Sequence, residues 1–265
     1  MVFGQCLTAP IAVTQPVVYE TIESGLAAPA GRGEGGLADD LYALGVTTLA
    51  LLIGHTPCLG MSDDEILRRK MASGSYMALV GLERVSLTMM EPLRGLLNDD
   101  PHDRWGLEDL VYWINGRRLS PKPQTLPQKA GRAFTVGESG YMTSRDLAQA
   151  LSTSWDESVE YVRNGTITTW IRRSIGDDDM ADATAEAAST SAVGSDNDDR
   201  LVARTCIALH PSAPIRYREF RATIDGMGSL LAAFADVPDA HEMFGAMLRL
   251  NLVPYWFECQ SRPRH

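Results

Sequence analysis

Few residues in this sequence stand at spacings that chemistry requires. Gly31-Arg32-Gly33-Glu34-Gly35-Gly36 has the form GxGxxG, the pattern by which a strand-to-helix turn brings backbone amides to a pyrophosphate. The preceding Leu26-Ala27-Ala28-Pro29-Ala30 makes no strand, so the string predicts a flexible loop and not a phosphate site. No GxxxxGK, HExxH or GxSxG string occurs. His55 and Cys58 lie close together without a second ligand pair, which fits helix-end packing better than a metal centre. His102 beside Pro101 and His210 beside Pro211 read as turn residues. Cys6, Cys58, Cys206 and Cys259 are far apart and form no CxxC pair. They predict scattered reduced thiols, with no zinc site and no disulfide framework.

Composition narrows the class. The 265 residues carry 24 basic and 34 acidic side chains, a net charge of −10, with 45% hydrophobic and 22% charged residues. That is a globular balance, sized for one large domain or two small ones. The acidic excess predicts no nucleic-acid partner and no anionic-membrane surface, since either gains from a basic field. The longest apolar run, Leu41 to Ile53, is interrupted by Tyr42, Gly45, Thr47 and Thr48 and falls short of the roughly 20 residues a bilayer needs. Met1 to Pro16 has no lysine or arginine ahead of its apolar stretch, unlike a signal peptide. The expectation is a cytoplasmic protein with no membrane association.

The elements that would position functional groups separate into regions. Residues 1–117 read as all-α. Asp39 or Asp40 precedes an apolar helix, Leu41 to Ile53, closed by Gly54. Apolar residues surround that helix, which predicts burial on nearly all sides. Ser62 and Glu65 form a capping box opening a helix through Met71. Further helices are expected at Leu87–Leu97 and at Leu107–Ile114, the latter stopped by Asn115-Gly116. Residues 118–131, with three prolines and no periodicity, read as an extended connector.

Beyond it the sequence reads as a small α+β or helical module that is possibly duplicated, over 132–188 and 200–265. Tyr161–Ile171 and Met247–Phe257 both set an arginine seven residues before a tryptophan, Arg163/Trp170 and Arg249/Trp256. Each is preceded by an Ala/Leu-rich helix and, before that, by an aromatic, arginine-containing stretch with turn residues. Trp155, Trp170 and Trp256 are expected to be core residues. The stretch 176–200 holds eight acidic residues against Arg200. A short helix over Met180–Ala188 and a mobile, solvated acidic loop over 189–199 are expected there.

One constellation points to a family. Asp40-Leu41-Tyr42-Ala43-Leu44-Gly45-Val46 is followed about 45 residues later by Leu97-Asn98-Asp99-Asp100-Pro101-His102-Asp103-Arg104 and preceded by Tyr19-Glu20-Thr21-Ile22-Glu23. In order and spacing these resemble the C-terminal lobe of eukaryotic-like serine/threonine protein kinases. They match its D-[V/L]-[Y/W]-[S/A]-L-G-V helix, its L-x-x-D-P-x-x-R segment with one added residue, and its Y-x-x-P-E segment with Ile22 in place of proline. Phe3-Gly4 resembles the end of that family's Asp-Phe-Gly. The fold expected from the resemblance is mainly α: a kinase-like C-lobe bundle followed by the accessory modules.

The resemblance implies roles. Glu23 would pair with Arg104, whose fork suits a carboxylate; Asp40 would accept backbone amides of a catalytic loop; Gly45 belongs to the buried helix. Residues 3–23 would be the activation segment, with Thr8 and Thr14 as candidate phosphoacceptors. The groups that carry phosphoryl transfer in this family lie before Asp-Phe-Gly and are not in this sequence. Val2 stands where the metal-binding aspartate would be, and valine cannot ligate Mg²⁺. No catalytic residue and no cofactor is expected, ATP and Mg²⁺ entering only if an N-lobe and catalytic loop complete the fold. The expected function is that of a non-catalytic, pseudokinase-like interaction or regulatory protein with a protein partner or a second copy on the uncovered face. The alternative is the C-terminal part of a longer, ATP-dependent serine/threonine kinase. Arg216, Arg218 and Arg221 are candidate docking residues for an acidic partner, including the chain's own 176–200 stretch.

Overall fold

The computed structural model describes residues 14–81, 83–189 and 195–260. Val2, Phe3, Gly4 and Thr8 lie outside the described residues, as does the part of the acidic stretch between 190 and 194. The chain is mainly helical and divides into two compact units, Met1–Leu126 and Pro127–His265. The division falls within the proline-rich connector.

In the first unit the segment Gln15–Arg32 holds a single 3-10 turn at Val17–Tyr19, the short helix α1 (Ile22–Leu26) and a second turn at Pro29–Gly31. Helix α2 (Leu37–Ile53) starts earlier than the sequence suggests, because Asp39 is its third residue and accepts the N–H of Gly36 at 2.9 Å. Gly54, at φ 79°, ends it. Its Leu41, Tyr42, Gly45, Val46 and Leu49 are buried. Gly45 is required by close approach: a Cβ there would stand 2.9 Å from Leu96 and 3.0 Å from Leu97.

The expectation of burial on nearly all sides is corrected by the opposite face. Leu37, Leu44 and Leu51, spaced seven apart, are 55%, 45% and 80% exposed. Its buried face packs on the Val17–Tyr19 turn, on the helix that holds Leu96 and on Trp105.

Helix α3 (Asp63–Ser73) opens with the predicted capping box, Ser62 N–H donating to Glu65 at 2.8 Å and Glu65 N–H to the Ser62 hydroxyl at 3.4 Å. Gly74, at φ 78°, separates it from α4 (Ser75–Val80). Helix α5 (Leu87–Leu96) and helix α6 (Leu107–Ile114) match the sequence reading. Leu110 and Trp113 of α6 pack on Leu41, Leu96 and Trp105. The extended stretch after α6 is fastened to its own unit: Glu91 accepts the Leu119 N–H, and Asn98 donates to the Lys122 carbonyl at 3.3 Å.

The second unit holds two like modules. The first runs β1 (Phe134–Val136), β2 (Ser139–Tyr141), α7 (Ser144–Thr153), α8 (Trp155–Arg163) and α9 (Thr166–Trp170), which continues as a π turn over Ile171–Ile175. Helices α10 (Asp178–Ala188) and α11 (Ser195–Leu209) follow. The second module repeats the order: β3 (Ile215–Tyr217), β4 (Phe220–Ala222), α12 (Met227–Ala233), α13 (Pro238–Arg249) and α14 (Leu252–Gln260). Both hairpins are antiparallel, with a left-handed residue at the same turn position, Gly137 at φ 57° and Arg218 at φ 51°. Each last helix is entered through another left-handed residue, Gly165 or Asn251. The indole N–H of Trp170 donates to the Arg132 carbonyl at 2.7 Å, and that of Trp256 to the Ala213 carbonyl at 3.0 Å. Each acceptor stands two residues before its module's first strand.

The acidic stretch is more ordered than its charge suggests. Asp177 caps α10 by accepting the Met180 N–H at 2.8 Å. Helix α11 begins inside the segment expected as a solvated loop, and Asp199 is buried at 7% exposure. Basic and aromatic partners supplied by both modules make that burial favourable.

Candidate functional site

The densest polar cluster of the first unit lies around Tyr42. Helix α3 exposes one face and buries Ile66, Leu67, Lys70 and Met71, so Lys70 occupies a position its helical spacing reserves for the core. The Lys70 side chain is fully buried, and its Nζ donates to the carbonyls of Val17, Val18 and Glu20 at 3.0, 3.0 and 2.7 Å. It also stands 5.2 Å from the centre of the Tyr42 ring. Burial pulls its pKa down to about 7, with Asp99, Cys58 and Glu20 acting in the opposite direction.

A second buried clasp holds the same segment. Arg32 Nη1 lies 3.2 Å from Glu20 Oε1 and donates to the Gln15 carbonyl at 2.8 Å, while the Ser24 hydroxyl donates to Glu20 Oε2 at 2.6 Å. Residues 15–32 are thus held by two buried cations, one reaching backbone carbonyls and one a carboxylate.

The Arg104 guanidinium also lies 5.2 Å from the Tyr42 ring centre. It donates to the carbonyls of Asn98 at 2.9 Å, Ala38 at 2.8 Å and Asp99 at 3.3 Å, and lies 3.9 Å from Asp39. The first turn of α2 is thereby tied to the 98–104 loop. Glu23 is half-buried on α1. The charges of Glu23, Asp99 and Arg104 all bear on the Tyr42 hydroxyl, whose ionisation burial pushes far up. Asp99 accepts the Ser75 N–H at 3.3 Å and is also bonded by Gln124. Asp40 is exposed at the start of α2, and Thr14 is exposed at the start of the described segment.

Lys70, Glu20 and Arg32 are the functional-looking residues that motif reading missed. The signal for Lys70 was present, a lone lysine on the apolar face of an otherwise charged helix. For Glu20 and Arg32 no sequence pattern links the pair.

In the second unit a buried carboxylate gathers four donors. Asp199 accepts from Trp155 Nε1 at 2.7 Å and Arg218 Nη2 at 2.8 Å on one oxygen, and from Arg218 Nε at 2.9 Å and the Tyr217 hydroxyl at 3.1 Å on the other. Arg218 therefore takes the chain's own acidic residue, with Asp156 a further 3.5 Å contact. Arg216 is 1% exposed, and among the described residues no hydrogen-bond partner reaches its Nε, Nη1 or Nη2. A docking role through an exposed Arg216 is corrected by this burial: the β3 side chain points into the packing against α11. Its register partner across the hairpin is the half-buried Arg221. Desolvation lowers the Arg216 pKa to about 10.

Among the described residues no group of three or more His, Cys, Asp or Glu is placed to hold a metal ion, and no helix is long and apolar enough to cross a membrane. Cys58, Cys206 and Cys259 are free thiols, and burial raises the pKa of Cys206 to about 11. No protein-family model matches the chain, and neither a curated protein nor a solved structure matches it.

Proposed function

We propose that this chain is a non-catalytic, protein-kinase-like interaction or regulatory protein: a degenerate C-lobe that performs no phosphoryl transfer, followed by a duplicated accessory module. The observation that carries this reading is the apolar stripe Leu37, Leu44 and Leu51 left exposed on α2, the helix whose sequence carries the kinase-like Asp40 to Val46 motif. In a C-lobe of that family the corresponding helix is central, so an open face on it is where another protein, or a second copy, would pack. Exposed leucines aligned on one helix face, here interspersed with the exposed Asp40 and Thr47, are a surface on which a partner can bury apolar area. Support also comes from Arg104 holding the first turn of α2, and from Val2 standing in place of a metal-binding aspartate.

The test is co-purification of the tagged chain from its native source beside the double variant Leu44→Asp, Leu51→Asp. The reading expects a stoichiometric protein partner that the variant loses while its fold, checked by circular dichroism, persists. Unchanged recovery of that partner by the variant would remove the stripe as the binding face.

A second reading is favoured by the same stripe together with the exposed Asp40, the residue that the resemblance assigns to a catalytic loop. Under it the covering half belongs to the same polypeptide, a longer serine/threonine kinase that uses ATP and Mg²⁺ when complete. An in-frame glycine-rich loop, lysine and His-Arg-Asp encoded upstream of Met1 would select this reading. An upstream stop codon would select the first.

A further inference from the structure

The two modules of the second unit differ in one respect that points to a ligand. In the first module α11 lies across α7 and α8. It buries Leu147, Ala148 and Leu151, with Ser158 and Val162 of α8. The Cys206 thiol donates to the Ala148 carbonyl at 3.5 Å, Trp155 Nε1 donates to Asp199, and Arg163 pairs with Asp198. Two acidic residues in the first half of α11 thus meet the aromatic and basic residues of α8, and its apolar residues follow one turn later.

The corresponding surface of the second module is open. Helices α7 and α8 are separated by Ser154 alone, and α12 and α13 by residues 234–237. The longer linker is offset by the shorter α12, and the extra three residues lie in α13, which has 12 residues against 9 in α8. Matching α7 to α12 from their starts and α8 to α13 from their ends, Ala148 corresponds to Leu231, Leu151 to Phe234, Trp155 to His241, Ser158 to Phe244, Val162 to Leu248 and Arg163 to Arg249. Leu151 and Val162 are buried at 0% and 3% exposure, while Phe234 and Leu248 are 43% and 53% exposed. Leu231, His241 and Phe244 line an open groove of about 390 Å³. No ion pair is found for the exposed Arg249 among the described residues.

We propose that this groove docks an amphipathic helix of a partner protein, seated as α11 is seated on the first module. The helix would present two acidic residues in its first turns to His241 and Arg249. Apolar residues three and four positions further on would then fill the space between Leu231, Phe234, Phe244 and Leu248. The occupant is defined by the internal precedent, because the first module, together with Tyr217 and Arg218 of the second hairpin, seats a helix of this chemistry from its own chain. It is also defined by charge, because Arg249 stands where Arg163 takes an aspartate. The inference does not depend on the kinase-like reading of the first unit.

The experiment titrates the full-length chain into a fluorescently labelled, end-capped peptide with the sequence of residues 195–209, read by anisotropy. The proposal expects saturable binding that falls at least tenfold with Arg249→Glu, with Leu231→Asp, and with a peptide whose Asp198 and Asp199 equivalents are lysine. Arg163→Glu, which alters the first module, should leave it unchanged. Equal binding of a scrambled peptide overturns the proposal. So does binding that falls with Arg163→Glu and not with Arg249→Glu, which would mean exchange with α11 in the first module. Light scattering covers the remaining occupant: a dimer of the unmodified chain that Leu231→Asp dissociates would assign the groove to a second copy and overturn the partner helix.

Discussion

Each unit buries one long cationic side chain completely, and the two surroundings are opposite. Lys70 meets three carbonyls and the face of Tyr42. Among the described residues Arg216 meets no hydrogen-bond acceptor, and its register partner across the hairpin is another arginine. Both have lost the same kind of hydration, which costs several kcal/mol unless it is replaced. In the first unit three carbonyls replace part of it, the pKa of Lys70 still falling to about 7, and they tie Val17–Glu20 to α3. In the second it is missing, and the surrounding packing bears the cost. A buried charge is therefore informative through its acceptors and not through its burial.

Removing the satisfied cation should have the largest effect. Lys70→Met removes the lysine from the Val18 and Glu20 carbonyls and from the Val17 carbonyl, which keeps the Glu20 N–H, and should cost about 3–5 kcal/mol in urea unfolding, with early proteolysis between residues 15 and 32. A loss below about 1 kcal/mol would mean that this clasp does not hold the segment.

Titration of the same lysine gives the next largest effect. Its folded-state pKa of about 7 lies below the ordinary 10.5. Between these values the unfolded chain binds the extra proton, so unfolding free energy should rise as pH is taken from about 7 toward 10, by about 2–4 kcal/mol. Lys70→Met should flatten that rise, and an equal slope in the variant would assign it to other groups.

The unsatisfied cation predicts the opposite sign. Arg216→Met keeps the volume and removes the uncompensated charge, and should raise stability by about 1–3 kcal/mol. A fall of that size would show that Arg216 has an anionic partner in solution. The smallest effect concerns the duplication. Trp170→Phe and Trp256→Phe each delete one indole hydrogen bond and should each cost about 1 kcal/mol, with similar values in the two modules. A large cost at one site and none at the other would argue that the two tryptophans do not play the same part.

Much of the helical framework was legible because local chemistry specifies it. Ser62 with Glu65 marks the start of α3, and Asn115-Gly116 marks the stop of α6. The shared Arg163/Trp170 and Arg249/Trp256 spacing pointed to two segments that have the same element order, a hairpin followed by three helices. The apolar wrap of α2 was misleading because a sequence records which residues can be buried and not whether a neighbour is present to bury them. The acidic run misled similarly: Asp198 and Asp199 look solvated until Arg163, Arg218, Trp155 and Tyr217 are brought to them from other parts of the chain. Lys70 was hidden by its type, although its spacing with Ile66, Leu67 and Met71 placed it on the core face. Glu20 and Arg32 lay in separate strings with no pattern linking them, and only folding of the 15–32 segment brings them together.

The central proposal is that the first unit is a kinase-like lobe without the chemistry of phosphoryl transfer. Calorimetric titration of the full chain with Mg·ATP tests it most directly. The account predicts a flat trace at protein and nucleotide concentrations that saturate ordinary kinases. A saturable heat at one site per chain, abolished by chelating the metal, would contradict it.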